Sequence, residues 1–193
     1  MEMHGDTPLR VLGLVGSLRA GSLNRGLMDA AREMAPELGM QVEVFGRLRE
    51  IPPYDADLEA GGDPEAVGAL KAAIHGADAL LIASPEYNYS VPGVLKNAID
   101  WASRPPPETP LRGKPAAIMG ASGGISGTMR MQYHLRQIFV FTQTHVLLAP
   151  EVIIPRAAER FQDGRLTDES TRELIRKQLA ALREWTLRLA PRA

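Results

Sequence analysis

Three short segments of the sequence carry polar groups in patterns that suit ligand binding. The first, GSLRAGSLN at 16–24, has the Gly-x4-Gly-Ser outline of a phosphate-binding loop, but serine stands where the lysine for a triphosphate is needed. The remaining groups suit one terminal phosphate bound without a metal ion, although a serine or asparagine here also fits an ordinary helix N-cap. The candidate side chains are those of Ser17, Arg19, Ser22 and Asn24.

The second segment, SPEYNYSVPG at 84–93, combines two prolines and two tyrosines in ten residues. Pro85 restricts the backbone, and Tyr87 and Tyr89 offer flat apolar surface with a polar tip. Asn88 can both donate and accept hydrogen bonds, so it can address the edge of a planar ring. The alternative, in which the tyrosines pack under a proline-rich turn, leaves Glu86 and Asn88 without a role.

The third segment, MGASGGISGT at 119–128, contains four glycines and two serines. Such a loop lets backbone N–H groups converge on an anion, although alone it is more typical of a flexible turn. Taken together, the three segments describe a ligand with one phosphate and a planar heteroaromatic ring. FMN fits this description best among common cofactors, and an adenine nucleotide also fits.

Short apolar runs alternate with segments of helical period along the chain, which predicts a parallel sheet covered by helices on both faces. The expected strands are 9–15, 41–45, 78–84, 114–122 and 144–154. The first expected helix begins near Asn24. The other helices are expected over 64–77, 92–103, 128–141 and 167–190, and Thr167 is expected to cap the last of them.

This alternation predicts one domain over 1–193, a flavodoxin-like three-layer sandwich whose five-stranded parallel sheet has the order 2-1-3-4-5. In that order strands 1, 3 and 4 are neighbours, and ligands bind beyond their carboxyl ends. The three polar segments follow these three strands, so we expect them to meet at one site.

Composition narrows the classes of function. The net charge of −1 gives no reason to expect a nucleic-acid partner. The absence of cysteine excludes thiolate catalysis and iron–sulfur ligation, and the histidines show no metal-ligand spacing. No apolar run approaches the roughly 20 residues of a membrane span. We therefore expect a soluble cytoplasmic protein without a metal or membrane partner.

At this point the motifs GSLRAGSLN, SPEYNYSVPGVLKNAIDWAS and GASGG can be compared with known families. Together they resemble the NAD(P)H-dependent FMN reductases, flavodoxin-like enzymes that include quinone, chromate and azo-dye reductases. The likeness extends from Leu9 to about Ile154. It implies phosphate contacts from Ser17, Arg19, Ser22, Leu23 and Asn24, and flavin-ring contacts from Pro85, Glu86, Tyr87, Asn88, Ser122, Gly123 and Gly124.

The resemblance also implies hydride transfer from NAD(P)H through bound FMN to a quinone, flavin, chromate or azo acceptor. No catalytic side chain is expected, because the flavin N5 carries the hydride. Tyr89 stands where the family more often has a smaller residue, so we assign it to the acceptor pocket. Relatives are dimers or tetramers, and residues similar to Arg130, Tyr133 and Glu151 link subunits in some of them.

Two other functions remain open from the sequence alone. A non-enzymatic electron carrier of the flavodoxin type is usually strongly acidic, and the net charge of −1 argues against it. A nucleotide-binding regulatory module would hold a similar ligand without redox chemistry. The physiological acceptor and the choice between NADH and NADPH have no readable signature.

Overall fold

A parallel sheet forms the centre of the protein in the computed structural model, which describes residues 7–190. The ends of the expected domain, 1–6 and 191–193, lie outside the described residues. The strands are β1 (Leu9–Val15), β2 (Met40–Val44), β3 (Ala79–Ala83), β4 (Pro115–Ala121), β5 (His145–Val146) and β6 (Val152–Ile154). The sheet order is β2-β1-β3-β4-β5, and β6 also pairs with β4. This arrangement confirms the flavodoxin-like fold class.

Helices cover both faces of the sheet, because the strands are buried on both sides and need apolar partners on each. The helices are α1 (Leu23–Met34), α2 (Ala56–Ala60), α3 (Glu65–Gly76), α4 (Gly93–Ala102), α5 (Met129–Thr142) and α6 (Glu169–Leu189). One apolar core lies between the sheet and the α1–α6 face, and a second lies under α3, α4 and α5.

The expected continuous strand over 144–154 is wrong, because β5 ends at Val146 and strand pairing with β4 resumes only at Val152 in β6. Pro150 has no N–H group to donate to a strand ladder, which explains the interruption. Side chains replace the missing ladder bonds: Gln178 Nε2 donates to Pro150 O at 3.0 Å, and Gln132 Nε2 donates to Val152 O at 2.9 Å. Helices on both faces therefore hold the interrupted strand in place.

The last helix begins later than expected. Asp168, and not Thr167, is the N-cap residue of α6, since its carboxylate accepts the backbone N–H of Thr171 at 2.8 Å. A carboxylate at this position also complements the positive end of the helix dipole.

A two-stranded hairpin precedes α6 and was not expected from the sequence. Its strands are β7 (Phe161–Gln162) and β8 (Arg165–Leu166). Asp163 and Gly164 both have positive φ, 49° and 77°, as the tight turn between two such strands requires. The Asp-Gly pair is a strong hairpin signal that could have revealed this element.

Candidate functional site

The carboxyl ends of β1, β3 and β4 meet as the predicted strand order requires. Gly16 N donates to Ala83 O at 2.9 Å, and Ser84 N donates to Met119 O at 3.1 Å. A Cβ atom on Gly16 would clash with the side chain of Ser84, so the chain after β1 packs directly against the chain after β3. The phosphate loop (16–22), the aromatic loop (84–92) and the glycine loop (122–128) thus leave the sheet at the same edge, from three neighbouring strands.

The phosphate loop ends at an α1 N-terminus that suits an anion. Ser22 is the N-cap residue, but its side chain makes no capping hydrogen bond, and no acidic residue lies in the first turn. The first backbone N–H groups of a helix lack intrahelical partners and carry partial positive charge. Arg49 Nη2 supports the loop by donating to Leu18 O at 3.1 Å. Ser17 is buried and Arg19 is exposed.

Asn24 has a different environment from the other residues of the predicted phosphate set. Its side chain is 2% exposed. Its Nδ2 donates to Ala121 O at 3.0 Å, and its Oδ1 accepts the Ala121 N–H at 2.9 Å. The amide thus ties the first turn of α1 to the end of β4, and only the backbone N–H of Asn24 remains for a ligand.

The aromatic loop contains a tight turn with unusual backbone angles. Tyr87 N donates to Ser90 O at 3.1 Å, and Ser90 N donates to Tyr87 O at 2.9 Å. The two central residues, Asn88 and Tyr89, have φ values of 49° and 67°, which residues other than glycine adopt at an energetic cost. Tyr87 is 50% exposed and Tyr89 is 70% exposed, so neither tyrosine is buried under the turn.

Glu86 connects the aromatic loop to α5. Its side chain is 6% exposed. Its Oε2 accepts the backbone N–H groups of Arg130 at 3.0 Å and Met131 at 3.2 Å, and its Oε1 accepts from Arg130 Nε at 2.5 Å. Its carboxylate therefore stabilises the N-terminus of α5, and a flavin contact from Glu86 would come from its backbone.

Arg130 extends this connection to the two neighbouring loops. Its guanidinium lies 3.7 Å from the centroid of the Tyr89 ring, a cation–π contact, and its Nη2 donates to Ser126 Oγ at 2.8 Å. This cluster has no signal in the sequence, because Glu86 and Arg130 are 44 residues apart and no local pattern links them.

The glycine loop is held from one side and open on the other. Gly124 N donates to Ser122 Oγ at 3.1 Å, while a Cβ atom on Gly123 would meet nothing within 4 Å. Beyond the loop, Arg156 N donates to Gly124 O and Ala157 N donates to Ser122 O. The backbone around Gly123 is thus fixed and exposed, as an anion-binding loop requires.

The subunit contacts expected from relatives stay predictions. Arg130 is paired within the chain, Glu151 Oε1 lies 3.9 Å from Arg136 Nη2, and Tyr133 is about half exposed. Over residues 7–190, no group of three or more His, Asp or Glu side chains could hold a metal ion. None of the helices in this part of the chain is long and apolar enough to cross a membrane.

A doubly wound parallel sheet with a phosphate-type loop, an aromatic loop and a glycine loop at its switch point defines a flavodoxin-like protein with a nucleotide-type ligand. Residues 9–159 match the family described as NADPH-dependent FMN reductase. The chain belongs to this family. The expectation of an FMN-dependent NAD(P)H oxidoreductase is confirmed, and the electron-carrier alternative is not favoured.

Individual relatives agree with this assignment. An NAD(P)H-dependent FMN reductase from Pseudomonas aeruginosa is 53% identical over 182 residues, covering 94% of this chain and 97% of the relative. An NAD(P)H:quinone oxidoreductase from Solanum tuberosum is 46% identical over 193 residues, covering 97% of both. Among solved structures, the flavoenzyme NAD(P)H:(acceptor) oxidoreductase FerB from Paracoccus denitrificans superposes with a TM-score of 0.85. It is 36% identical and covers 93% of this chain and 98% of its own.

Proposed function

We propose that the chain reduces a neutral planar acceptor of the quinone type, with FMN bound between its three loops. The convergence of these loops at the ends of β1, β3 and β4 is the observation that carries the proposal. FMN, when bound, supplies hydride acceptance and donation at N5. The chain has to bind the flavin, orient it and stabilise its reduced charge.

The phosphate end of FMN is assigned to the start of α1. The hydroxyls of Ser17 and Ser22 and the charge of Arg19 would join the backbone N–H groups of Leu23 and Asn24 around the phosphate. The uncapped helix N-terminus supports this assignment, because it offers donors and a favourable dipole without a metal ion.

The ring end is assigned to the aromatic and glycine loops. Backbone groups of Pro85 and Glu86, with Tyr87 and Asn88, would line one side of the ring. Ser122, Gly123 and Gly124 on the glycine loop are assigned to the other side of the ring. The Gly123 N–H is the donor left for the flavin, because Ser122 N donates to Ile154 O and Gly124 N donates to Ser122 Oγ. Reduced flavin collects negative charge that such a fixed donor stabilises. No side chain is required as an acid or base for the hydride step.

The proposed preference for neutral planar acceptors rests on Tyr89 and Arg130. Tyr89 is 70% exposed, and the Arg130 guanidinium lies over its ring. The Arg130 charge is itself paired with the carboxylate of Glu86. The names of relatives, quinone reductase among them, support the same acceptor class. Since aromatic pairs contribute about 0.5–1.5 kcal/mol, Tyr89→Gly should lower quinone kcat/KM about two- to tenfold, whereas Tyr89→Phe, which keeps the ring, should not.

The function is tested by purifying the protein, recording its visible spectrum and following NADH and NADPH oxidation with a benzoquinone acceptor. We expect a yellow protein, or one that becomes yellow with FMN, and steady oxidation that needs the acceptor. A preparation that does not bind FMN would contradict the proposal and favour a regulatory module. Flavin binding without steady NAD(P)H oxidation would favour an electron carrier.

We further propose that the protein forms a homodimer or homotetramer through α5 and the segment between β5 and β6. Val140 and Phe141 on α5 and Leu148 on that segment are each more than three-quarters exposed, an apolar surface that a second copy would cover. Arg130, Tyr133 and Glu151 are assigned to subunit contacts in the same assembly. Sedimentation velocity should show an oligomer that Phe141→Ser weakens and that Leu58→Ser, an exposed control on α2, leaves intact.

A further inference from the structure

We infer that the segment after β6, residues 155–168, positions the flavin site, and that it acts on the start of α1 through the contact between Gly26 and Phe161. This inference rests on the proposed FMN site. The family match ends at residue 159, so the hairpin of this segment lies beyond it. Gly26, Phe161 and the hairpin are not among the residues assigned to FMN contacts.

The last residue of β6 and the first part of the segment together hold the glycine loop. Ser122 N donates to Ile154 O at 3.0 Å, and Ala157 N donates back to Ser122 O at 3.0 Å. Arg156 N donates to Gly124 O at 3.1 Å. These three backbone bonds fix both ends of the stretch 122–124, which is assigned to the flavin ring.

The second part of the segment presses on the first turn of α1. A Cβ atom on Gly26 would lie 2.7 Å from Phe161 Cε1 and 2.8 Å from Gly164 O, which is closer than real Cβ atoms come to other atoms. Glycine inside a helix lowers helix stability relative to alanine, so its presence here needs a reason. The reason is space, because only glycine lets the hairpin approach the helix this closely.

The hairpin itself cannot move aside freely. Its base is closed by the N–H groups of Thr167 and Asp168, which donate to Arg160 O at 3.0 and 3.3 Å. Leu166 is buried in the core between the sheet and α1. A side chain added at Gly26 would therefore displace the start of α1 and not only the hairpin.

This geometry connects two ends of one ligand site. The same short segment is bonded to the glycine loop and packed against the first turn of α1, just after the N-cap residue Ser22. Displacing the first turn of α1 would misalign its N–H groups with a phosphate, while the ring contacts on the other loops would remain. The expected defect is therefore specific to the phosphate.

The test compares FMN with riboflavin, which lacks the phosphate. Apo protein is prepared by removing flavin, and the dissociation constant of each ligand is measured by quenching of flavin fluorescence. The variants are Gly26→Ala, which adds the clashing Cβ, and Phe161→Ala, which removes the ring that supports the first turn. Gly68→Ala is the matched control, since Gly68 lies within α3 and a Cβ there would meet nothing within 4 Å. Circular dichroism verifies that each variant is folded.

We expect both variants to weaken FMN binding about tenfold, the size of one lost charge-assisted hydrogen bond, while riboflavin binding changes less than about twofold. Gly68→Ala should leave both constants unchanged. The inference is overturned if folded Gly26→Ala and Phe161→Ala keep the wild-type ratio of the two dissociation constants. This holds whether neither ligand binds more weakly or both bind more weakly by the same factor. If Gly26→Ala does not fold, Phe161→Ala decides alone. Wild-type protein that binds neither ligand would instead overturn the proposed function.

Discussion

Asn24 separates two interpretations of the phosphate loop, and its replacement by alanine distinguishes them. The sequence suggests a phosphate ligand, whereas the structure places the side-chain amide on Ala121. Asn24→Ala removes two hydrogen bonds and leaves a buried N–H and a buried C=O of Ala121 without partners. Each hydrogen bond contributes about 0.5–1.5 kcal/mol, and each buried polar group left unpaired costs about 1–3 kcal/mol. With partial relaxation, we expect the free energy of unfolding to fall by about 2–4 kcal/mol.

The assay is urea unfolding of the apo protein, monitored by far-ultraviolet circular dichroism. The m value should be the same in the variant and the wild type. Ser22→Ala is the control, because the Ser22 side chain makes no capping bond and should matter only to a bound phosphate. We expect it to change apo stability by less than about 0.5 kcal/mol. If Asn24→Ala is as stable as wild type without flavin but binds FMN poorly, the structural interpretation of the amide is refuted.

Asn24→Asp offers a second check on the same bond pair. A carboxylate can accept the Ala121 N–H but faces the Ala121 carbonyl with no proton to donate, and it is buried. We expect this variant to be destabilised at pH 7 and to regain part of its stability on acidification, when the carboxyl group is protonated and can donate. Stability that falls steadily with decreasing pH would contradict this expectation.

Three further changes test the framework around the site. Glu86→Gln loses the ion pair with Arg130 and the charge at the α5 N-terminus, so the thermal unfolding of apo protein should show a loss of about 1–2 kcal/mol. Trp101→Phe removes the bond from Nε1 to Pro52 O (2.9 Å) in a fully buried ring, and urea unfolding should show a loss of about 1–3 kcal/mol. Asp168 accepts hydrogen bonds from the hydroxyls of Ser170 and Thr171 and from the Thr171 backbone N–H. Together with Arg160, these donors hold the pKa of Asp168 well below its usual range. Its stabilising contribution should therefore be present above about pH 4 and be lost as pH falls toward the lowered value, and acid unfolding of Asp168→Asn should lack that dependence.

The alternation of apolar runs and helical segments determined the fold class, because strand and helix periods are local properties of the chain. The predicted strand order by itself places the three polar segments at one edge of the sheet. The interruption of the fifth strand also had a local signal, since Pro150 cannot donate to a ladder. The hairpin at 161–166 had another in its Asp-Gly turn.

Other features of the site were decided only by tertiary structure. Asn24 binds a backbone 97 residues away, and Glu86 accepts N–H groups 44 and 45 residues away. Gly26 looks like an unfavourable helix residue until Phe161 is seen against it. Such partners meet because packed elements bring them together, and a buried polar group or a close contact has no periodic signature. Residue type and spacing identify groups that can bind a ligand, while packing determines which of them the fold itself already uses.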